Sequence, residues 1–367
     1  MREPLFKGYT ATLGLSVAAL LAGALLLNSV VDPLWYFRGN LITGENFSFN
    51  ERLSKMNRFL DAPVRYDCFI FGSSRTALLD AKAIEGYNCF NFAFSAGLIG
   101  EYLAYASYLR ERGHRPRLVI VGIDDFNFST RKLRKTVPDF VQNGAPPPNF
   151  LVNYLSLDAL RFSLQALRGA SPGDIHYRPD FSAFAPCKGP YQPLAKQARG
   201  GELKADASRK AYAENAAWYA KLMNVFPRAR FVFYVPPVSV WKLDALEAEG
   251  RLEGYLQGVY AVSRMAPVLY DFAAPSAITR DASRTCDGSH YDDAVNQLIV
   301  ETINSGHIRF GVNVKDVSYS AYQARYRGAL TAASPVHPAR PVPSHGSSAG
   351  EISQLVARSL KKTFELR

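Results

Sequence analysis

Apolar and polar positions alternate along the chain from residue 66 onward in a pattern typical of layered α/β proteins. Five short, continuously apolar runs have the length of buried strands: YDCFIFG (66–72), YNCFNFA (87–93), RLVIVGI (117–123), ARFVFYVPP (229–237) and APVLYDF (266–272). Segments with helical spacing follow them at 77–85, 100–112, 209–226, 242–264 and 293–305. Apolar strands that alternate with helices predict a doubly wound α/β domain, a three-layer sandwich around a parallel sheet of about five strands.

A different pattern precedes this domain. Residues 8–31 carry no charge, and as a helix they would span about 36 Å, enough to cross a hydrocarbon core of about 30 Å. Arg2 and Lys7 precede the run, and Asp32, Arg38 and Glu45 follow it. This bias places the N-terminus in the cytoplasm and the domain outside. We expect a single-pass transmembrane anchor. The alternative is a cleaved signal peptide, whose apolar region is usually only about 7 to 15 residues long.

These patterns predict the following organisation: a cytoplasmic stub (1–7), an anchor (8–31), a linker (32–64), the α/β domain (65–310) with an insertion (128–201), a domain edge (311–332), a disordered linker (333–350) and an amphipathic C-terminal helix (351–367). The insertion is basic, then proline-rich, then amphipathic. We expect it to form a packed pair of accessory helices, with a lid or a membrane-contacting flap as the alternative.

The net charge limits the class of partner, and the cysteine content indicates the compartment. The formal net charge of +11 favours polyanions, and a domain outside the cytoplasm does not meet nucleic acid, which leaves anionic lipid or glycan. The four cysteines suit an oxidising compartment, where we expect Cys68 to pair with Cys89 and Cys187 with Cys286. Four buried thiols are the alternative. The spacing of the cysteines and histidines does not suggest a metal site, and we expect no cofactor.

Polar motifs follow four of the predicted strands. They are FGSSRT after the first, NFAFSAG after the second, GIDDF after the third and TCDGSHY after the fifth. In an open parallel sheet, ligands bind outside the carboxyl ends of the strands. The sequence therefore predicts one site at this edge.

A serine in the first motif and a histidine in the last suggest nucleophilic catalysis. A serine hydroxyl needs a base to accept its proton, and the base needs an acceptor on its other nitrogen. We expect Ser74 to be the nucleophile, His290 the base and Asp287 the acceptor, since an aspartate three residues before a histidine can reach back to its ring. Ser73 is an alternative nucleophile. The two motifs could also be a plain turn and a helix N-cap.

Together these motifs resemble the SGNH, or GDSL-like, hydrolase superfamily over residues 65 to 305. Gly72-Ser73-Ser74 is similar to the family's first block, and Asp287 to His290 is similar to its last. The resemblance implies that the backbone N–H groups of the serine and of Ala96 or Gly97 stabilise an oxyanion. Asn91 is similar to the leading asparagine of the second block.

The third block departs from the family pattern. Gly122-Ile123-Asp124-Asp125 has an aspartate, Asp124, where the family has an asparagine that donates to the oxyanion. An ionised Asp124 would repel the oxyanion. Either another group donates to the oxyanion, or Asp124 is a structural capping or substrate-binding group, or the site works slowly. We expect Arg75 either to bind an anionic substrate or to pair with a carboxylate such as Asp124.

The resemblance also implies a function. Membrane-anchored relatives of this type include polysaccharide O-acetylation and D-alanyl transfer proteins at the outer face of the bacterial inner membrane. By that resemblance, the chain would be an esterase or O-acyltransferase that acts on an extracytoplasmic polysaccharide and touches inner-membrane lipid. Its protein partner would be an integral-membrane acyltransferase or a polysaccharide synthesis and export complex. The alternative is a catalytically degenerate scaffold or glycan-binding subunit of such a complex.

Overall fold

The structure, a computed structural model, describes residues 3–331 except 63, 131–132, 134–136, 172, 174, 188, 190 and 194–212. The helices are α1 (Glu3–Val31), α2 (Glu51–Asp61), α3 (Ser74–Ala77), α4 (Ile99–Glu111), α5 (Asp139–Gln142), α6 (Phe150–Tyr154), α7 (Leu157–Leu167), α8 (Ala217–Val225), α9 (Val240–Ala248), α10 (Leu252–Met265), α11 (Asp293–Ser305) and α12 (Tyr319–Thr331). The strands are β1 (Asn46–Phe47), β2 (Cys68–Phe71), β3 (Cys89–Asn91), β4 (Leu118–Gly122), β5 (His176–Tyr177), β6 (Ala183–Phe184), β7 (Arg230–Val235), β8 (Leu269–Asp271) and β9 (Val312–Asn313).

Six strands form a mostly parallel sheet in the order β3-β2-β4-β7-β8-β9. All five predicted apolar runs contain one of its parallel strands. The sixth strand, β9, pairs with β8 in the antiparallel direction and was not predicted. Counted along the chain, the parallel strands have the order 2-1-3-4-5, so the direction of winding reverses between β2 and β4. Crevices for ligands form at such a reversal.

Both faces of the sheet are buried, because successive side chains of a strand point in opposite directions. On one face, Phe69 and Val121 belong to a core that includes side chains of α2, α4, α8 and α10. On the other face, Ile70 and Ile120 belong to a second core whose helical members come from α11. The chain is therefore a mixed α/β protein in which helices cover each face of the sheet.

The prediction of a linker at residues 32–64 is wrong. These residues include β1 and α2, and Trp35, Met56 and Phe59 are buried. Asn50 caps α2 by accepting from the N–H of Leu53. Several of the buried residues of this helix are polar, among them Glu51, Lys55 and Asn57, so its sequence does not have the apolar pattern of a core helix.

Three predicted helices differ from the structure. The described part of residues 209–226 forms a 3-10 turn, Ala213–Ala216, and the helix α8. Residues 77–85 contain only the end of α3 and a 3-10 turn, Ala81–Ala83, because Asp80 accepts from the N–H of Lys82 and starts a new turn there. Residues 242–264 form α9 and α10, separated at Gly250, whose φ of +70° ends the first helix. In contrast, α11 has the predicted bounds.

The N-terminal helix α1 has one segment, Gly8–Val31, that is long and apolar enough to cross a membrane. The described part of the insertion contains α5, α6 and α7 and the strands β5 and β6, which join β1 in a small antiparallel sheet. Both α6 and α7 contact α1. The predicted domain edge contributes β9 and α12 to the core, while the predicted linker (333–350) and C-terminal helix (351–367) lie outside the described residues.

Candidate active site

Ser74 lies at the carboxyl end of β2, where the sheet reverses its winding. The strand ends at Phe71, Gly72 makes the turn, and Ser73 caps the single-turn helix α3 that begins at Ser74. A side chain at Gly72 would overlap Thr76, which is buried beside it. Glycine is therefore required for this tight exit from the strand.

The loop that carries Asp287 and His290 is a compact turn held by its own hydrogen bonds. Thr285 pairs with Tyr291 across its base. The Thr285 hydroxyl donates to the carbonyl of His290 (3.0 Å) and accepts from the N–H of Gly288 (2.9 Å). Gly288 has a φ of +82°, a conformation that favours glycine. The loop is thus shaped before any ligand binds.

The structure brings the three predicted catalytic residues together. His290 Nε2 lies 2.9 Å from Ser74 Oγ, and His290 Nδ1 lies 3.0 Å from Asp287 Oδ2. Because a carboxylate only accepts hydrogen bonds, Nδ1 carries the proton and Nε2 can accept from the Ser74 hydroxyl. The His290 side chain is 11% exposed and that of Asp287 is 40% exposed, so the relay lies at the surface.

Asp287 is held in its charged form. Burial by itself would raise its pKa, but the hydrogen bond and charge of His290 outweigh burial and hold the pKa well below its usual range. The backbone N–H groups of Ser289 and His290 also donate to Asp287 Oδ1, each at 2.8 Å. A permanently ionised carboxylate fixes the orientation and tautomer of the imidazole.

Ser73, one residue before the candidate nucleophile, belongs to a separate buried cluster. Its hydroxyl donates to Asp124 Oδ1 at 2.8 Å, and Asp124 is completely buried. Arg75 lies 3.4 Å from Asp124 and 3.3 Å from Asp125. Arg251 also contacts Asp125, at 3.4 Å. Of the two roles expected for Arg75, the structure shows the pairing with carboxylates.

Burial also changes the chemistry of Asp124. Desolvation raises its pKa to about 6, against the opposing effects of the Arg75 charge and the Ser73 hydrogen bond. Its second oxygen, Oδ2, is buried with no hydrogen-bond partner among the described residues. The Oδ1 atom of Asp124 accepts from Ser73, and an ionised carboxylate has no hydrogen to donate to an oxyanion.

The second motif supplies structural contacts and one open donor. Asn91 donates to the carbonyls of Thr76 and Leu79 (3.0 and 3.2 Å), so its amide supports the end of α3. The N–H of Gly97 donates to the carbonyl of Phe94 at 3.0 Å. Ala96 is exposed, has a φ of +50° that is uncommon outside glycine, and its N–H has no hydrogen-bond partner among the described residues.

Two disulfides link the cysteines in the expected pairs. Cys68 and Cys89 join the neighbouring strands β2 and β3. Cys187 and Cys286 join the insertion to the residue directly before Asp287. The second bond therefore anchors the loop that positions the candidate base.

A cavity of about 550 Å³ lies near the site, although Ser74, Asp287 and His290 do not line it. Ala77, at the end of the turn that Ser74 begins, lines it, and so does Asp293, three residues after His290. Its wall also includes Lys55, which is 2% exposed and donates to the carbonyl of Asn91 at 2.9 Å. Burial lowers the pKa of Lys55 to about 8. The cavity is large enough for a ligand of several rings.

Sequence reasoning missed two supporting side chains. Thr285 organises the loop, and Lys242 at the start of α9 donates to the Ser289 hydroxyl at 2.7 Å. Thr285 lies next to the DGSH motif, so its position in the turn could have drawn attention to it. Lys242 is far away in the chain, and no local pattern connects it to the site.

The described residues contain no group of three His, Cys, Asp or Glu side chains arranged to hold a metal ion. No protein-family model, curated protein or solved structure matches the chain. Function must therefore be argued from the site itself.

Proposed function

We propose that the chain is a serine-dependent esterase or O-acyltransferase. The observation that carries the proposal is the continuous relay from Ser74 Oγ through the His290 ring to Asp287, with both contacts at hydrogen-bond distance. Geometry and roles identify such a relay across unrelated folds. The resemblance of the two motifs that carry these residues to the SGNH superfamily is a second support.

The geometry supports a two-step acyl transfer. Ser74 Oγ attacks the carbonyl carbon of an ester while His290 Nε2 takes the hydroxyl proton. The bond to the leaving alcohol then breaks, His290 returns the proton to that oxygen, and an acyl-serine forms. In the second step, water or a sugar hydroxyl gives its proton to His290 and attacks the acyl carbon. The bond to Ser74 Oγ then breaks, and His290 returns the proton to Ser74 Oγ. Water as the acceptor makes an esterase and a sugar hydroxyl makes a transferase.

Two backbone N–H groups are candidates to stabilise the oxyanion. The N–H of Ser74 is in the first turn of α3, where helices leave N–H groups without intrahelical partners. The second candidate is the N–H of Ala96, rather than that of Gly97, which is already bonded within its turn. The left-handed conformation of Ala96 supports this role, because strained backbone is common at functional sites.

The position of the site in the sheet is consistent with the family resemblance. The strand order 2-1-3-4-5 is that of doubly wound, flavodoxin-like sheets, in which ligands bind where the winding reverses. Ser74 follows β2 and Asp124 follows β4, the two strands on either side of that reversal. We propose that the chain has the SGNH variant of this architecture.

The proposed substrate is an extracytoplasmic polysaccharide. Helix α1 is long and apolar enough for a membrane anchor, the charges that flank it favour the domain on the outer face, and the disulfides suit an oxidising compartment. The net charge of +11 favours an acidic polymer. In this proposal an integral-membrane acyltransferase or an export complex supplies or receives the polymer.

A second candidate is a degenerate scaffold or glycan-binding subunit of a polysaccharide modification complex. Asp124 favours it, since a carboxylate beside the nucleophile opposes an oxyanion and does not replace the amide donor of the family pattern. This candidate predicts that Ser74 forms no covalent intermediate, even though the relay geometry is present.

A fluorophosphonate probe, which labels activated serines covalently, separates the two. We expect labelling of the full-length wild type, loss of labelling in Ser74→Ala and retention in Ser73→Ala. Absence of wild-type labelling, with unchanged polymer ester content in cells that express Ser74→Ala, would support the scaffold. Deletion that lowers polymer ester content indicates a transferase, whereas a gain indicates an esterase.

A further inference from the structure

The end of α1 is attached rigidly to the domain. Asn28, in the last turns of α1, donates to the carbonyl of Tyr154 and accepts from the Ser163 hydroxyl, both at 2.7 Å. Asp32 ends the helix with a φ of +46° and accepts from the N–H groups of Tyr36 and Gly39 at 2.8 and 2.7 Å. These contacts tie the helix to α6, to α7 and to the turn that follows it.

Large apolar side chains are exposed around this attachment. They are Phe37, Leu41 and Ile42 after α1, and Leu151, Val152, Leu155, Leu157 and Leu164 in and between α6 and α7. Leu157 is 84% exposed and Val152 is 70% exposed. Beyond α1, only three other large apolar side chains of the described residues are this exposed: Leu60, Val64 and Met265. We call the eight residues the apolar collar.

Exposed arginines accompany the collar. On α7, Arg161 follows Leu157 by four residues and Arg168 follows Leu164 by four, so each pair shares one side of the helix. Arg38 is exposed beside Phe37, and Asp158 is the one acidic residue of α7. Apolar side chains interleaved with arginine are typical of helices that lie in the interface of a bilayer with anionic lipids.

We propose that the apolar collar inserts into the outer surface of the membrane that α1 crosses. The occupant is the lipid bilayer because the collar surrounds the end of the one described helix that can span it. Burial of these side chains among lipid acyl chains removes their apolar surface from water, which is favourable. Contact of the apolar collar with lipid fixes the tilt of the domain and therefore the height of the Ser74 site above the lipid. This proposal rests on α1 as an anchor and not on the chemistry of Ser74.

Tryptophan scanning of the full-length protein tests this proposal. Leu157→Trp and, as a matched control, Met265→Trp are reconstituted in vesicles of phosphatidylethanolamine and phosphatidylglycerol with brominated lipid as quencher. Met265 is 41% exposed, like Leu164, but ends α10, which packs against α8, α9 and α12. We expect brominated lipid to quench the tryptophan at position 157 several-fold more than the one at position 265, after subtraction of wild-type emission.

Equal quenching at the two positions would overturn the proposal. So would a blue shift at position 157 that depends on protein concentration in detergent and is insensitive to brominated lipid, because a second copy would then cover the collar. The same measurement in Ser74→Ala should give the unchanged quenching ratio. Failure of the esterase proposal therefore leaves this result intact, and failure of membrane contact leaves the labelling result intact.

Discussion

Two neighbouring serines in this protein have opposite environments. Ser74 is half-exposed, and its hydroxyl meets a histidine that a surface carboxylate orients. Ser73 is 1% exposed, and its hydroxyl meets a buried carboxylate that an arginine neutralises. Both clusters combine serine, aspartate and a basic residue. The comparison shows that a serine hydroxyl becomes a candidate nucleophile when a base can accept its proton and a substrate can reach it. A serine beside a buried ion pair stabilises the fold instead.

The largest difference between the clusters should appear on substitution of Asp287. With Asn at this position, the ring of His290 favours the wrong tautomer, and the rate of covalent labelling should fall by about 10⁴-fold. Because Asp287 is 40% exposed, the melting temperature should change little. Asp281→Asn, in a turn-capping carboxylate of the same region, is the control and should label at the wild-type rate. A small effect of Asp287→Asn would show that the relay is inactive.

The disulfide that anchors the catalytic loop should matter more than the one between strands. Loop-closure entropy predicts a loss of about 4.7 kcal/mol for the bond that spans 99 residues and about 3.3 kcal/mol for the one that spans 21. Replacement of Cys187 and Cys286 by alanine should also slow labelling, because Asp287 follows the bond directly. Chemical denaturation and labelling of both double variants test this. Equal labelling rates would show that the turn around Thr285 holds the loop alone.

The substitution Asp124→Asn should change how the stability of the protein depends on pH. An unfolded aspartate ionises near pH 4 and buried Asp124 near pH 6, so wild-type stability falls as pH rises through this window, by about 3 kcal/mol in all. Asparagine does not ionise, so the variant does not lose stability in this way, and Arg75 keeps Asp125 as a partner. The stability of the variant relative to wild type should therefore rise between pH 4 and pH 7. Thermal unfolding measures it, and a pH-independent difference would contradict the assignment.

The same variant bears on catalysis. Removal of a negative charge near the reacting atoms should speed probe labelling above pH 6 by about tenfold, which corresponds to about 1.4 kcal/mol. Asp125→Asn is the matched control, since its carboxylate also pairs with Arg75 but does not accept from Ser73. Slower labelling of Asp124→Asn would mean that the ionised carboxylate positions the site productively.

The smallest effect on labelling should come from Ser73. Ser73→Ala leaves a buried oxygen of Asp124 without its hydroxyl donor and should cost about 1 to 3 kcal/mol of folding free energy. Labelling should stay within a few-fold of wild type. Ser74→Ala should do the reverse, with stability retained and labelling lost. Identical behaviour of the two variants would break the distinction between the clusters.

The apolar runs were sufficient to predict the parallel strands, because strands buried on both faces have few polar positions. Helix α11 was predicted with its observed bounds from its helical pattern, although the residue that caps it is Asp292 and not Asp287 or Ser289. The two-residue strand β9 and the buried face of α2 were missed, since short or polar-rich segments depend on tertiary packing. Polar motifs at the strand ends predicted which residues meet at the site.

The partners of individual side chains could not be predicted as fully. Arg75 was equally suited to a substrate or to a carboxylate, and the choice depends on how close Asp125 comes after folding. Asn91 matched a catalytic block, but its amide holds the backbone carbonyls at the end of α3. The partner of each of these side chains depends on distances across the sheet, and these distances cannot be predicted from spacing along the chain.

The most direct test is to find which serine forms the covalent bond. The full-length protein is treated with a fluorophosphonate, digested, and the modified peptide that spans residues 66–82 is sequenced by tandem mass spectrometry. The relay geometry predicts the adduct on Ser74, with loss of the adduct in His290→Ala. An adduct on Ser73, or no adduct on either serine in the correctly folded protein, would contradict the assignment of Ser74 as the nucleophile.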